Sequence, residues 1–415
     1  MRFLRPSPLN KTSSTRSKLF VLCVTLAVSA LLVFLFFYPI LRGYSGRSVY
    51  LLQFCLAIGL LEKSWWNYRI RQRFLVLFEA SVAVLFVEAE FDNLQHDPSE
   101  YDLDIHGRIE PSAYAVTTFT KRYIKSVRCA VVVLTLLTSS TIAAAGITIV
   151  LYSEDVVVVC AAVGCFAGVL CACFAPTPGD GVAIMVHEGA LTVTAMNTMI
   201  VQYTGSKMQM AILDYLFVAL AGWVVIVISR IVVSKKQLEC FLMVALDTVA
   251  LAHVTIVMME IVEIVDHPRA NTFSREFSAY FVTIACAELG HYLFDAVTTE
   301  WLPTNFHRWR LKSQRLYEAT DLVVSVIFGA AGMLIWMKGV FNMNLSPLDS
   351  AALLGATALS QLGRSLITLT YDAAMALPWY RAKFTIWNNG IMELMNPFLV
   401  GWIVFHPYAK SILVD

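Results

Sequence analysis

Long uninterrupted apolar runs limit what this chain can fold into more than any other feature. A hydrocarbon core about 30 Å thick requires about 20 apolar helical residues to cross it. Eleven segments reach that length, at about 19–41, 48–66, 129–152, 156–175, 182–203, 209–233, 238–264, 277–297, 321–341, 349–374 and 385–406. The runs are continuous rather than alternating, which excludes a barrel of strands about ten residues long with period two. The expected fold is all-α, a polytopic α-helical membrane bundle with about 11 transmembrane helices. Composition agrees: 58% of the residues are apolar and 15% charged, at a mean hydropathy of +0.66. A formal net charge of +1 supplies no field to attract nucleic acid, so lipid rather than nucleic acid is the expected partner.

Basic residues set the expected orientation. Arg2, Arg5, Lys11, Arg16 and Lys18 precede the first run, which is too long for a signal-peptide core and is read as a retained span with a cytoplasmic start. Later basic clusters then fall on the same side: Arg230, Lys235 and Lys236; Arg308, Arg310, Lys312 and Arg315; Arg381 and Lys383. The carboxyl end is accordingly expected outside the cytoplasm. The sequon Asn344, Leu345, Ser346 lies on that outer side, although Pro347 and the short loop work against its use.

The expected organisation is a basic tail over 1–18, two spans over 19–66, a cytoplasmic polar region over 67–128, a nine-helix bundle over 129–406 and a tail over 407–415. Within the polar region, 74–88 is apolar but short and carries Glu79 and Glu88, with basic clusters on both sides. It is therefore expected to lie at the membrane interface. The acidic loop that follows holds His96 and His106, lacks an EF-hand pattern and reads as a solvated face. The nine cysteines sit in or beside apolar runs, where a thiol acts as a small hydrophobe, and imply neither a disulfide framework nor a metal box. Gly164 and Gly168 form a GxxxG that permits close helix approach, either to a helix of this chain or to a second copy in a homo-oligomer.

Ionisable side chains at bilayer depth cost at least about 2.5–3.5 kcal/mol each and need a partner, a wet cavity or a function. Those within the runs are His187 and Glu188; Asp214; Asp247, His253, Glu260 and Glu263; Glu288, His291 and Asp295; Arg364 and Asp372; and Glu393. Glu288, His291 and Asp295 fall within about 60° of one helix face. His253, Glu260 and Glu263 share a face about 80° wide on the preceding helix, with Asp247 turned elsewhere. Together they suggest a chain of titratable groups across the bundle. Arg364 cannot shed its proton and is expected to pair with a buried carboxylate, Glu288 first. Asn388, Asn389, Gly390, Glu393, Asn396 and Pro397 mark the last run as a polar, broken helix of the kind that lines a substrate path, or one that bonds helices together.

A metal role for the Glu288 stripe lacks the second E-x-x-H of a di-iron bundle, and neither metal nor cofactor is expected. His291 and Asp295 resemble the H-x-x-x-D end of membrane phosphatidate phosphatases, with Ile284 and Ala285 where that family has Ser and Arg. The run from Phe277 to Asp295 and the segment MELMNPFL from Met392 slightly resemble pieces of the TLC domain of ceramide synthases. The adjacent histidine pair is missing and two extra spans intervene, so neither resemblance assigns a fold or an active residue. The function expected is movement of a small solute or ion, coupled to protonation of the Glu288, His291 and Asp295 stripe. Its rivals are a membrane enzyme acting on lipid or isoprenoid through His291, and a structural subunit of a membrane complex.

Overall fold

The computed structural model describes residues 45–87, 127–152, 155–204, 213–234, 236–265, 270–298, 314–342, 346–374 and 391–414, and among these the fold is helical without strands. Helix α1 is Ser45–Val87, α2 Val127–Leu151, α3 Val156–Cys173, α4 Pro178–Thr204 and α5 Tyr215–Val233. Helix α6 begins at Gln237–Ala250 and passes through a π-helical turn, Leu251–Thr255, into Ile256–Val265. Helix α7 is Ala270–Ala296, α8 is Gln314–Leu334 with a π-helical end at Ile335–Val340, α9 is Pro347–Ala374 and α10 is Ile391–Val414. Among the described residues, five segments are long and apolar enough to cross a membrane, as in an integral membrane protein: Val132–Leu151, Val156–Cys173, Tyr215–Val233, Gln237–Ile264 and Leu316–Val340. The first expected span, the acidic loop with His96 and His106, and Asn344 of the sequon lie outside the described residues.

Local chemistry starts these helices where the sequence turns from polar to apolar. Asp155 caps α3 by accepting from the amides of Val157 and Val158, and Asp214 caps α5 through Leu216. At α9, Ser346 and Asp349 each accept from the other's amide, at 3.1 and 2.9 Å, with Pro347 at the first helical position. The last residue of the sequon thus serves as a helix cap.

Helix α1 runs unbroken for 43 residues, joining the segment expected as the second span to the one expected at the interface. At 1.5 Å per residue it is about 64 Å long, twice the depth of a hydrocarbon core. Helix α10 likewise continues through Pro407 to Val414 rather than stopping at 406.

Helices α1 to α6 form one group and α7 to α10 another, with α3 on α4, α7 on α8 and α9 on α10 the most extensive pairs. The groups meet where α1 and α6 pack on α9 and α10. Glu62 on α1 accepts from the Met392 amide at 3.0 Å, a carboxylate at the positive start of α10. An aromatic cluster packs α10 against α7 within the second group. Tyr280 stacks on Phe405 with centroids 4.4 Å apart, and both contact the fully buried Trp402. Helix α2 stands at the periphery with its apolar side chains outward, Leu136 and Val150 among them, a surface suited to acyl chains.

The GxxxG face of α3 is filled from within the chain. A Cβ on Gly164 would lie 2.0 Å from Thr192 Oγ1 and 2.6 Å from Gln53 Nε2, and one on Gly168 would lie 3.1 Å from Glu188 Cγ. A homo-oligomer therefore has to use another surface than Gly164 and Gly168. Gln53 Nε2 donates to both Thr192 Oγ1 and the Cys160 carbonyl, so the space above Gly164 belongs to a buried hydrogen-bonded junction of three helices. Gly164→Ala is expected to cost about 1–3 kcal/mol through overpacking. Thermal unfolding in detergent checks this, and an unchanged Tm would show that the junction can yield.

Candidate functional site

Among the described residues, two ionic networks stand out, one in each helix group. The network in the second group contains Glu288, His291 and Arg364, three of the residues singled out from the sequence, together with Asp321. Arg364, about midway along α9, donates from Nη2 to Glu288 Oε1 on α7 at 2.6 Å and also bonds Gln361 one turn back. Its Nη1 lies 3.7 Å from Asp321 Oδ2 on α8. Asp321 in turn meets His291 Nδ1 at 2.8 Å, so three ionic contacts tie α7, α8 and α9 into a ring that the turn of α7 between Glu288 and His291 completes. Glu288 is 8% exposed, while the side chains of His291 and Asp321 are 22% and 18% exposed. The network is therefore buried at the carboxylate and reachable at the imidazole.

By formal charge, Glu288, Asp321 and Arg364 sum to −1, and a protonated imidazole at His291 would bring the sum to 0. Asp321 holds Nδ1, which leaves the other ring nitrogen as the position for proton exchange. Small residues let the three helices close around the ring. A Cβ on Gly290 would lie 2.7 Å from Phe328 on α8, and one on Gly329 would lie 2.9 Å from Thr357 on α9.

His253 lies in the π-helical turn of α6 and bonds Asn396 Oδ1 on α10 through Nε2 at 2.6 Å. Asn396 Nδ2 donates to the Gly363 carbonyl, beside Arg364. In the same turn, Thr255 contacts His187 Nδ1 on α4 at 2.9 Å. Isolated π turns recur at functional sites because they release helix hydrogen bonding and reorient side chains. This one carries polar contacts from α4 to α10 and so links the two helix groups.

Among the described residues, no chain of contacts joins Glu260 and Glu263 to Glu288 and His291. Glu260 contacts Tyr215 Oη at 3.4 Å and His406 Nδ1 at 3.5 Å, away from Glu288. On α10, ten residues separate Asn396 from His406, about 15 Å of helix, and Trp402 and Phe405 of the aromatic cluster lie between. Glu263 is partly buried with Oε2 unpaired, and it also lies apart from the ring. Asp295 and Glu393 fall on helices α7 and α10, with side chains outside those described, and Asn389 lies outside the described residues.

The second network was not anticipated. Arg230, three residues from the end of α5, is 3% exposed and lies between two carboxylates. Nε donates to Asp247 Oδ2 at 2.6 Å, and Nη2 to Asp247 Oδ1 at 3.1 Å and to Asp180 Oδ1 at 2.7 Å. Asp180 also accepts from Thr177 Oγ1 at 2.6 Å. Asp247 does face away from His253, as its helical angle suggested, and what it faces is this arginine. In sequence, Arg230 belongs to the basic cluster with Lys235 and Lys236, and Asp180 follows a Thr-Pro-Gly helix start, so both carry ordinary surface and capping readings. The signal that could have found them is an arginine preceded, apart from Gly222 and Ser229, only by apolar residues back to Tyr215.

Glu188 is 1% exposed, and both of its oxygens are buried without a hydrogen-bond partner. The eight cysteines among the described residues are free thiols, and no group there of three or more His, Cys, Asp or Glu side chains could hold a metal ion. No protein-family model matches this chain, and it matches neither a curated protein nor a solved structure.

Proposed function

We propose that this chain is a multi-pass membrane carrier of a small solute or ion, coupled to protonation of the ring formed by Glu288, His291, Asp321 and Arg364. The reading takes about eleven spans, with the amino terminus in the cytoplasm and the carboxyl terminus outside it. The observation that carries it is the ring itself, three helices held by charges whose sum changes with one partly exposed imidazole. A proton that neutralises the ring alters the cost of burying it, and so biases any equilibrium between conformations that bury it differently. The meeting of two helix groups along a seam, crossed by the π turn of α6 and by the proline-containing α10, supports motion of one group against the other.

Proteoliposomes loaded with a pH-sensitive dye test this. Wild-type protein is expected to move protons when a transported solute gradient is imposed, with a rate that depends on pH. His291→Gln is expected to remove that pH dependence and Glu288→Gln to abolish coupling. Unchanged flux in both variants at every pH would end the proposal.

A second reading draws on the 2.8 Å contact between His291 and Asp321, the arrangement of an acid–base dyad with its orienting carboxylate. A membrane lipid that disappears in cells lacking the protein, and returns with wild type but not with His291→Ala, would favour an enzyme.

A further inference from the structure

A small cavity of about 20 Å³ lies where α1, α4, α5 and α6 meet, with room for one water or one ion of similar size. Lys63 and Asn67 of α1 line it, with Asp180 and His187 of α4, Arg230 of α5 and Asp247 of α6. It lies toward the start of α4 and the end of α5, one turn inside the bundle.

The hydrogen-bonding partners around the cavity are unevenly used. Arg230 takes both oxygens of Asp247 and one of Asp180, whose other oxygen accepts from Thr177. His187 is engaged by Thr255, and Ser64 donates to the Leu61 carbonyl. Two groups are left over. Lys63 has no carboxylate within 4.0 Å among the described residues, and Asp247 acts on it only through longer-range attraction. The Asn67 carboxamide is 3% exposed, and its oxygen is buried without a partner.

The four charges sum to zero, yet both carboxylates are spent on one arginine, which leaves the Lys63 side positive. A cation entering here would face both Lys63 and Arg230 and would have to share carboxylate oxygens that already accept from Arg230. An anion meets an ammonium directly, and the carboxamide can rotate to offer its N–H edge. We propose that this cavity binds a monovalent anion of halide size, with Lys63 as its charge partner and Asn67 as a hydrogen-bond donor. The site lies in the other helix group from the Glu288 ring and goes beyond the carrier reading, which does not depend on it.

The test uses purified full-length protein in detergent and reads Tm in potassium chloride against potassium gluconate at equal ionic strength. Chloride and bromide are expected to raise the wild-type Tm by several degrees in a saturable manner, because a ligand held only by the folded state stabilises it. Lys63→Gln is expected to lose the effect, Lys63→Arg to keep it, and Asn67→Leu to raise the half-saturating chloride concentration about tenfold, the equivalent of one lost hydrogen bond to a charge. Equal Tm values in chloride and gluconate for the wild type would overturn the proposal. So would a chloride effect that survives Lys63→Gln, or a shift that follows sodium against choline instead. Tm is read without any flux. Solute-coupled proton flux without a chloride effect would therefore overturn the anion site alone, whereas a chloride effect with no flux under any gradient would overturn the carrier reading alone.

Discussion

Replacing Arg230 with glutamine is expected to cost about 3–5 kcal/mol, because two carboxylates within the bundle then lose the cation that compensates them. Asp180 and Asp247 are 1% and 4% exposed, so water cannot take over the role of the guanidinium without opening the junction of α4, α5 and α6. The expected readout is a large fall in Tm and in the yield of detergent-soluble protein. A triple variant, Arg230→Met with Asp180→Asn and Asp247→Asn, is expected to recover most of the loss, since removing every charge together avoids the unpaired state. A single variant as stable as wild type would show that the junction is wetter than its geometry suggests.

Arg364→Gln is expected to be the other severe change, with a loss of similar size and abolition of coupled flux. Glu288 would lose its closest cation, and Asp321 would keep only His291. Adding Glu288→Gln should return part of the stability, with a coupling energy of about 0.5–3 kcal/mol between the two positions. Arg364→Lys is not expected to substitute, because one ammonium cannot reproduce a planar fork that reaches Glu288 at 2.6 Å from one nitrogen and Asp321 at 3.7 Å from another. A double-mutant cycle on Tm, with flux measured on the same four proteins, checks both statements. Additive losses would mean that Glu288 and Arg364 act independently.

The two networks differ in how far the sequence foretold them. Arg364 stands in the middle of an apolar run, where a permanent cation has to find a carboxylate, and Glu288 was its expected partner. Asp321 begins a run and reads as an ordinary boundary residue, so nothing local indicates that it contacts His291. Arg230 and Asp180 sit at run ends for the same reason, and their burial comes from neighbouring helices that cover those ends. Helical angles describe one helix at a time, and the π turn at Leu251–Thr255 changes the angular advance partway along α6, so they do not tell what Glu260 meets. Among the described residues its contacts are Tyr215 and His406.

The sequence by itself determined the class of the protein and the approximate extent of its helices. Hydropathy and capping are local and roughly additive along the chain, so a run of apolar residues between polar ends is legible without knowledge of its neighbours. Tertiary structure alone decided which charges meet, which glycine face is already occupied and where a cavity is left. Those outcomes depend on the rotation and packing of helices that the chain brings together from far apart, as Arg230 meeting Asp180 across 50 residues makes plain.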